Sequence, residues 1–375
     1  MTARMLPAAL AAAALFAAAG AQAADVQIYG RLDTGLVYQN YFGDSIDENS
    51  FTMASGANTA TRVGIQGKER ISEDLTVGFR LENRFLSDTG TFQIHSKGHE
   101  GRMFGGQSTL TLSGKSWGEV TFGRVAGQSS GSGPYDMQFY MDAFGGGTVG
   151  TGLSPAVKSV RYDNMLVYRT PMMAGLQATA QYSLKTDGYD EGDESTSDVN
   201  RYWSAGVRYN RGGLNLVAIY EGIAWGHEVQ IDNGADKDLA LFTLGGSYKW
   251  SDLQVYAQAQ YFDGANAVDK FSAKTATKDR TGHVKGYGLY AGAQIWFGLS
   301  SWQNMVYWKD YTLEPAAGAS TDGSTLGAAT KFLYRPSKTV DIYVGGGVSA
   351  WDRIEGSGVK TDKTFNAFSG VTKYF

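Results

Sequence analysis

Arg31, Arg62, Arg80, Arg84 and Arg161 share a setting in which charge can act without any bond being made or broken. Apolar residues flank them (Leu32, Val63, Phe79, Leu81, Phe85, Val160), while polar ones such as Asp33, Glu82 and Asp163 stand two positions away. In an extended segment successive side chains point to opposite faces, so these guanidiniums fall on the wet face. Each stays charged at any relevant pH. Asp33 and Glu82 share that face and dilute the charge. The carboxylates to set against them are Asp136 and Asp142, in the bulky stretch Tyr135–Asp142. That stretch lies in residues 126–158, the longest gap without a strand pattern. A structureless segment of about 30 residues is unusual unless it has a task. Folded into a lumen it would narrow the passage, with the Gly145-Gly146-Gly147 run letting the chain turn back. Two acids facing five arginines would make a transverse field that orients polar solutes and filters by charge. The bland alternatives are a mobile external loop and ordinary solvation of each arginine.

Other chemistry is poorly supported. His95 and His99 would share a helix face, but they sit in a Gly-flanked loop, so a zinc site is not expected. Asp187, Asp190, Glu191, Asp193, Glu194 and Asp198 crowd one loop without any EF-hand spacing, and read as a solvated acidic loop. No Ser–His or Asp–His constellation comes together, and no phosphate or dinucleotide fingerprint occurs in strand-turn-helix context. A net charge of −4 with acidic loops argues against nucleic acid. The expectation is no enzyme, no cofactor and no metal.

The elements that position these residues read as strands. Mean hydropathy is −0.27, too polar for a bundle of membrane helices. The one continuous apolar stretch opens the chain: Arg4, then Leu6 to Gly20, then Ala21-Gln22-Ala23, which reads as a cleavable export signal over residues 1–23. Cysteine is absent, so disulfides cannot stabilise the exported protein. Glycine makes up 50 of 375 residues and tyrosine 22, which suits many strands joined by tight turns.

Apolar and polar residues alternate in segment after segment. Leu176, Ala178, Ala180 and Tyr182 interleave with Gln177, Thr179, Gln181 and Ser183, and Leu253–Tyr261 behaves alike. Short turns fall near Ser72-Glu73-Asp74, Lys115-Ser116-Trp117, Pro171-Met172-Met173, Asn210-Arg211-Gly212, Ser251-Asp252, Gly298-Leu299-Ser300 and Pro336-Ser337-Lys338. Longer polar stretches interleave at 43–58, 88–101, 126–158, 186–199, 224–237, 264–282, 312–324 and 352–363. That count gives about 16 antiparallel strands with short periplasmic turns and long external loops, an all-β transmembrane barrel over residues 24–375. Every proline of the mature chain falls in a turn or loop, and Trp117, Trp250, Trp296, Trp302 and Trp351 suit interfacial girdles. A soluble sandwich would alternate too, but with shorter strands. An open edge in lipid would leave backbone groups unpaired, so strand 26–38 must pair with strand 365–375.

These residues resemble the Gram-negative general-diffusion porins of the beta-proteobacterial kind along the whole mature chain. Val26–Asp33 is similar to that family's first strand, Thr61–Gly67 to its second, Ser116–Arg124 to the turn and fifth strand, and Asn164–Gly175 to the sixth strand and its turn. The resemblance implies a barrel of 16 strands, a homotrimer and an inward-folded third loop. It also implies that Phe375 is the terminal aromatic presented to the outer-membrane insertion machinery. Arg62 and Arg161 match the basic cluster of anion-preferring relatives, whereas Gly106-Gln107 stand where that pattern often carries basic residues. The expectation is therefore an outer-membrane channel for passive diffusion of small hydrophilic solutes and ions, with a modest anion preference, in contact with lipid and lipopolysaccharide. Rival readings are a solute-specific channel with an aromatic slide (Tyr29, Tyr256 and Tyr290 have the right parity), an outer-membrane barrel enzyme and a plugged structural barrel.

Overall fold

The short turns decide the topology. In the computed structural model each turn named above joins two strands that pair antiparallel along their length. The structure describes residues 25–44, 47–93, 102–144, 157–186, 193–226, 237–265, 283–315, 318–355 and 358–375. The export-signal reading of residues 1–23, the Gly145–Gly147 run, His95, His99, Asp187, Asp190 and Glu191 lie outside them.

Strand β1 (Gln27–Gly43) pairs with β17 (Gly358–Tyr374) from Arg31↔Tyr374 to Gly43↔Asp362, so the sheet closes on itself. The β1–β17 seam thus leaves no open edge at the join for lipid to desolvate. On its other side β1 pairs with two partners, β3 (Arg62–Ser72) over its first residues and β2 (Asp47–Ser55) over the rest. Seventeen strands thus fill sixteen places, because β2 and β3 share one. Arg31 pairs with Arg62 and Thr34 with Ser55, so β1 advances three residues while its partner advances seven. The surplus residues fold inward.

The remaining places follow in sequence: β4 (Leu75–Arg84), β5 (Gln107–Gly114), β6 (Gly118–Ala126), β7 (Arg161–Arg169), β8 (Leu176–Ser183), β9 (Arg201–Arg211), β10 (Leu214–Ala224), β11 (Leu239–Trp250), β12 (Leu253–Ala265), β13 (His283–Phe297), β14 (Ser300–Glu314), β15 (Thr321–Ser337) and β16 (Val340–Glu355). Alternation survives as two faces. On β14, Trp302 and Val306 are exposed while Ser301, Gln303, Met305, Tyr307 and Lys309 are buried. The exposed residues face lipid and the buried ones face the lumen.

Three expectations need correction. Stretches 43–58, 312–324 and 352–363 are mostly paired strand, not loop. Backbone pairing continues above the lipid, where neither face needs apolar side chains, so the alternation fades while the ladder persists. Pro336 lies inside the bounds of β15, at a register shift between Tyr334 and Ser337 where no ladder bond is lost. Trp351 is buried and meets Tyr41 edge to face at 6.3 Å, so it belongs to the interior and not to a girdle.

Candidate pore constriction

Pairing of β1, β3 and β4 sets Arg31, Arg62 and Arg84 side by side in one row across three strands. Glu82 lies two residues below Arg84, on the same face. Its carboxylate takes Arg62 Nη1 at 3.1 Å, with Arg84 Nε and Arg80 Nη2 each at 3.9 Å. Tyr29 donates to Glu82 Oε2 at 3.1 Å and accepts from Arg80 Nε at 2.6 Å. Tyr29 can lie across β3 because Gly64 is there, and a Cβ at that position would meet the ring at 2.4 Å. Arg161 reaches the same patch from β7, within electrostatic reach of Glu82 and Arg62. It donates from Nε to Gly106 O at 2.7 Å and from Nη2 to Ser132 Oγ at 3.1 Å. The five predicted arginines are thus one cluster, with a single carboxylate ion-paired among them in the described residues. The excess charge is positive. Asp33, expected to dilute it, bonds Tyr343 and Thr372 but stays within electrostatic reach of Arg31.

The segment after β6 takes the opposite wall. Gln128 donates to Thr179 O at 3.1 Å and Ser204 Oγ at 2.8 Å, on β8 and β9. Met137 and Met141 pack on Val217 and Ile219 of β10, and Gln138 bonds Gln258 of β12 at 2.5 Å. Ala143 N donates to Tyr290 Oη at 2.8 Å, and Phe144 packs with Met305, Tyr307 and Ala329. Val157 N donates to Gln260 Oε1 at 2.7 Å on the way back. Nearer its start, Tyr135 donates to Thr121 Oγ1 of β6 at 2.6 Å and Pro134 O accepts from Arg169 Nη1 of β7 at 2.9 Å, so the described parts of 126–158 lie inside the barrel on β6–β15, not outside it.

The two loop acids are held differently from expectation. Asp136 accepts from Gly131 N at 2.7 Å and from Phe139 N at 3.3 Å, capping its own loop. Burial pushes its carboxyl up to about 7, only partly offset by those amide bonds. Asp142 accepts from Tyr290 Oη and Phe144 N, both at 2.8 Å. No ion pair joins either acid to the arginine cluster among the described residues. Tyr256 and Tyr290 are buried with Phe144 against the loop and do not form a slide.

Other charged groups, outside the five arginines, also border the lumen. Arg124 and Arg102 clamp Asp163 at 2.8 and 2.7 Å, which ties residues 102–106 to β7 and presents the Gly106 carbonyl to Arg161. Lys309 and Lys331 are buried on the lumen face of β14 and β15. The flanking rule that found the arginines misses Lys331, whose neighbours two positions away, Ala329 and Leu333, are apolar. Phe375 closes the seam, exchanging backbone bonds with Gly30 at 2.9 and 3.1 Å. Among the described residues no helix is long and apolar enough to cross a membrane, which says nothing of strands.

Comparison with known proteins agrees with this architecture. A family model described as Gram-negative porin matches residues 9–350. An outer membrane porin protein of Bordetella pertussis is 32% identical over 68% of this chain and 69% of its own length. Outer membrane porin protein 32 of Delftia acidovorans is 29% identical over 64% of this chain and 65% of its own. Among solved structures, the anion-selective porin from Comamonas acidovorans superposes with a TM-score of 0.69 at 20% identity, covering 94% of this chain and all of that one.

Proposed function

This chain belongs to the Gram-negative porin family and is an outer-membrane channel for passive diffusion; on that premise we propose that its arginine wall gives the channel a modest preference for small anions. The observation that carries this is the row Arg31–Arg62–Arg84 with Arg161 beside it, around one carboxylate, Glu82. A passing anion meets fixed guanidiniums on one side and a loop whose acids are engaged elsewhere on the other. Residues 126–158 set the size limit as the constriction loop, and Asp142 contributes to the field through its place near Lys331. The solved relative from Comamonas is described as anion-selective, which supports the same reading here.

Three further points complete the proposal. The chain assembles as a homotrimer in contact with lipid and lipopolysaccharide. Residues 1–23 are removed on export, leaving 24–375 as the barrel, without cofactor or enzymatic role. Phe375 is the C-terminal residue that the insertion machinery reads. Purified protein added to a planar bilayer tests the channel itself: large ohmic steps arriving in threes support it. A silent membrane together with lipid or peptide hydrolysis would favour an enzyme instead.

A further inference from the structure

The surplus residues between β2 and β3 build something. Gly56 turns the chain inward at φ +74, and its N–H donates to Asp33 O at 3.0 Å. At the other end Thr61 Oγ1 accepts from Asp33 N and donates to Asp33 O, both at 3.0 Å. Between these brackets Ala57 is buried against Val37, Tyr343 and Phe368, which seats residues 56–61 on the inner faces of β16 and β17. The Asp33 carboxylate beneath accepts from Asn58 N at 3.4 Å, Tyr343 Oη at 2.8 Å and Thr372 Oγ1.

Two groups of this segment hold charged side chains of the wall. The Ala60 carbonyl accepts from both Arg31 Nε at 3.1 Å and Arg62 Nε at 3.3 Å. The Asn58 side chain donates to Thr372 Oγ1 at 3.3 Å, and its Oδ1 accepts from Lys331 Nζ at 2.8 Å. Lys331 is only 3% exposed, and its ammonium stands 5.0 Å over the Phe144 ring at the tip of the loop, within reach of Asp142. One short segment thus holds two arginines of the basic wall and the lysine that stands over Phe144 of the loop.

We infer that residues 56–61 form a second arm of the constriction, and that Lys331, gripped by Asn58 and facing Asp142 and Phe144, is a further residue that determines its preference for anions. The inference rests on the channel reading above. The arm covers the wall on β16 and β17, while the loop leaves β6 and β7, where Tyr135 meets Thr121 and Ser132 meets Arg161, and crosses β8 to β15. Solute then passes between these two arms and the arginines of β1, β3 and β4. Asn58 acts as a positioning residue, since its amide sets where the Lys331 charge sits.

Asn58→Ala, Lys331→Met and the double variant, each checked for a folded barrel by heat-modifiable gel migration, test this in planar bilayers under a KCl gradient. Each single variant is expected to lower the chloride-to-potassium permeability ratio by about twofold, as expected for loss or displacement of one charge held beside the constriction. The double variant should fall no further than Lys331→Met, because Asn58 acts only through that lysine. Lys331→Arg should keep the wild-type ratio. Folded single variants with wild-type ratios would overturn the inference, as would effects that add in the double variant. A silent wild-type protein would instead remove the channel reading beneath it.

Discussion

Tyr290 donates its hydroxyl hydrogen to Asp142 Oδ1 at 2.8 Å, across 148 residues of sequence, and so fastens the tip of the constriction loop to the lumen face of β13. The same Tyr290 oxygen accepts from Ala143 N. Removing it costs Asp142 one of its donors, Phe144 N remaining, and takes from the buried Ala143 amide its Tyr290 acceptor. Tyr290→Phe is expected to loosen the tip at a cost of about 1–3 kcal/mol. Single-channel records should show more open-state current noise at nearly unchanged mean conductance. Quiet records would mean that the apolar packing of Phe144 alone holds the tip.

Asp136 gives the loop a pH dependence of known sign. Its folded pKa is raised to about 7 by burial, above the ordinary carboxylate value, so its neutral form suits the docked loop. Docking is therefore tightest at low pH and weakens as pH rises from the carboxylate range through about 7. Open-state noise should grow between pH 5 and 8. Asp136→Asn keeps an acceptor for Gly131 N but carries no charge, and its noise should stay flat across that range.

The closing seam makes a stability prediction. Asp33 is buried between β1 and β17 and receives Asn58 N, Tyr343 Oη and Thr372 Oγ1. Asp33→Ala leaves these donors without their acceptor, at about 1–3 kcal/mol for each group left unsatisfied. The temperature at which the folded band disappears in gel electrophoresis should fall clearly. An unchanged transition would show that the network is dispensable.

Lipid and lumen faces of one strand should respond oppositely to charge. Val306 is 55% exposed at the middle of β14, while Gln303 on the same strand is buried toward the pore. Val306→Arg should cost about 2–4 kcal/mol in urea unfolding within lipid vesicles, as for cations near the bilayer midplane. Gln303→Arg should be much milder and should alter conductance instead. Equal costs would mean that the faces are misassigned.

What the sequence disclosed followed from period-two alternation and hairpin turns. Ser251-Asp252 and Gly298-Leu299 sit at the turn positions because tight reversals need those residue types, and between them the parity of Arg31, Arg62 and Arg80 is unambiguous. Parity cannot show where an inward side chain ends, so the turn of Asp136 onto its own loop and of Asp142 onto Tyr290 was hidden. The path of the loop did leave a trace. On β10 Leu216 and Tyr220 face lipid, yet Val217 and Ile219 on the other face are apolar as well, and Met137 and Met141 cover them. A strand apolar on both faces marks a wall that the loop will cover. The inward arm at 56–61 left a fainter mark, Gly56 and Asn58 in a stretch that composition alone renders as loop.

The most direct test of the account is the zero-current potential of the channel in a KCl gradient, for the wild type and for Arg62→Glu combined with Arg161→Glu. The account predicts a potential of the sign set by chloride for the wild type, and a shift toward the potassium value when two guanidiniums of the cluster become carboxylates. A cation-selective wild type, or a double variant with an unmoved potential, would contradict it.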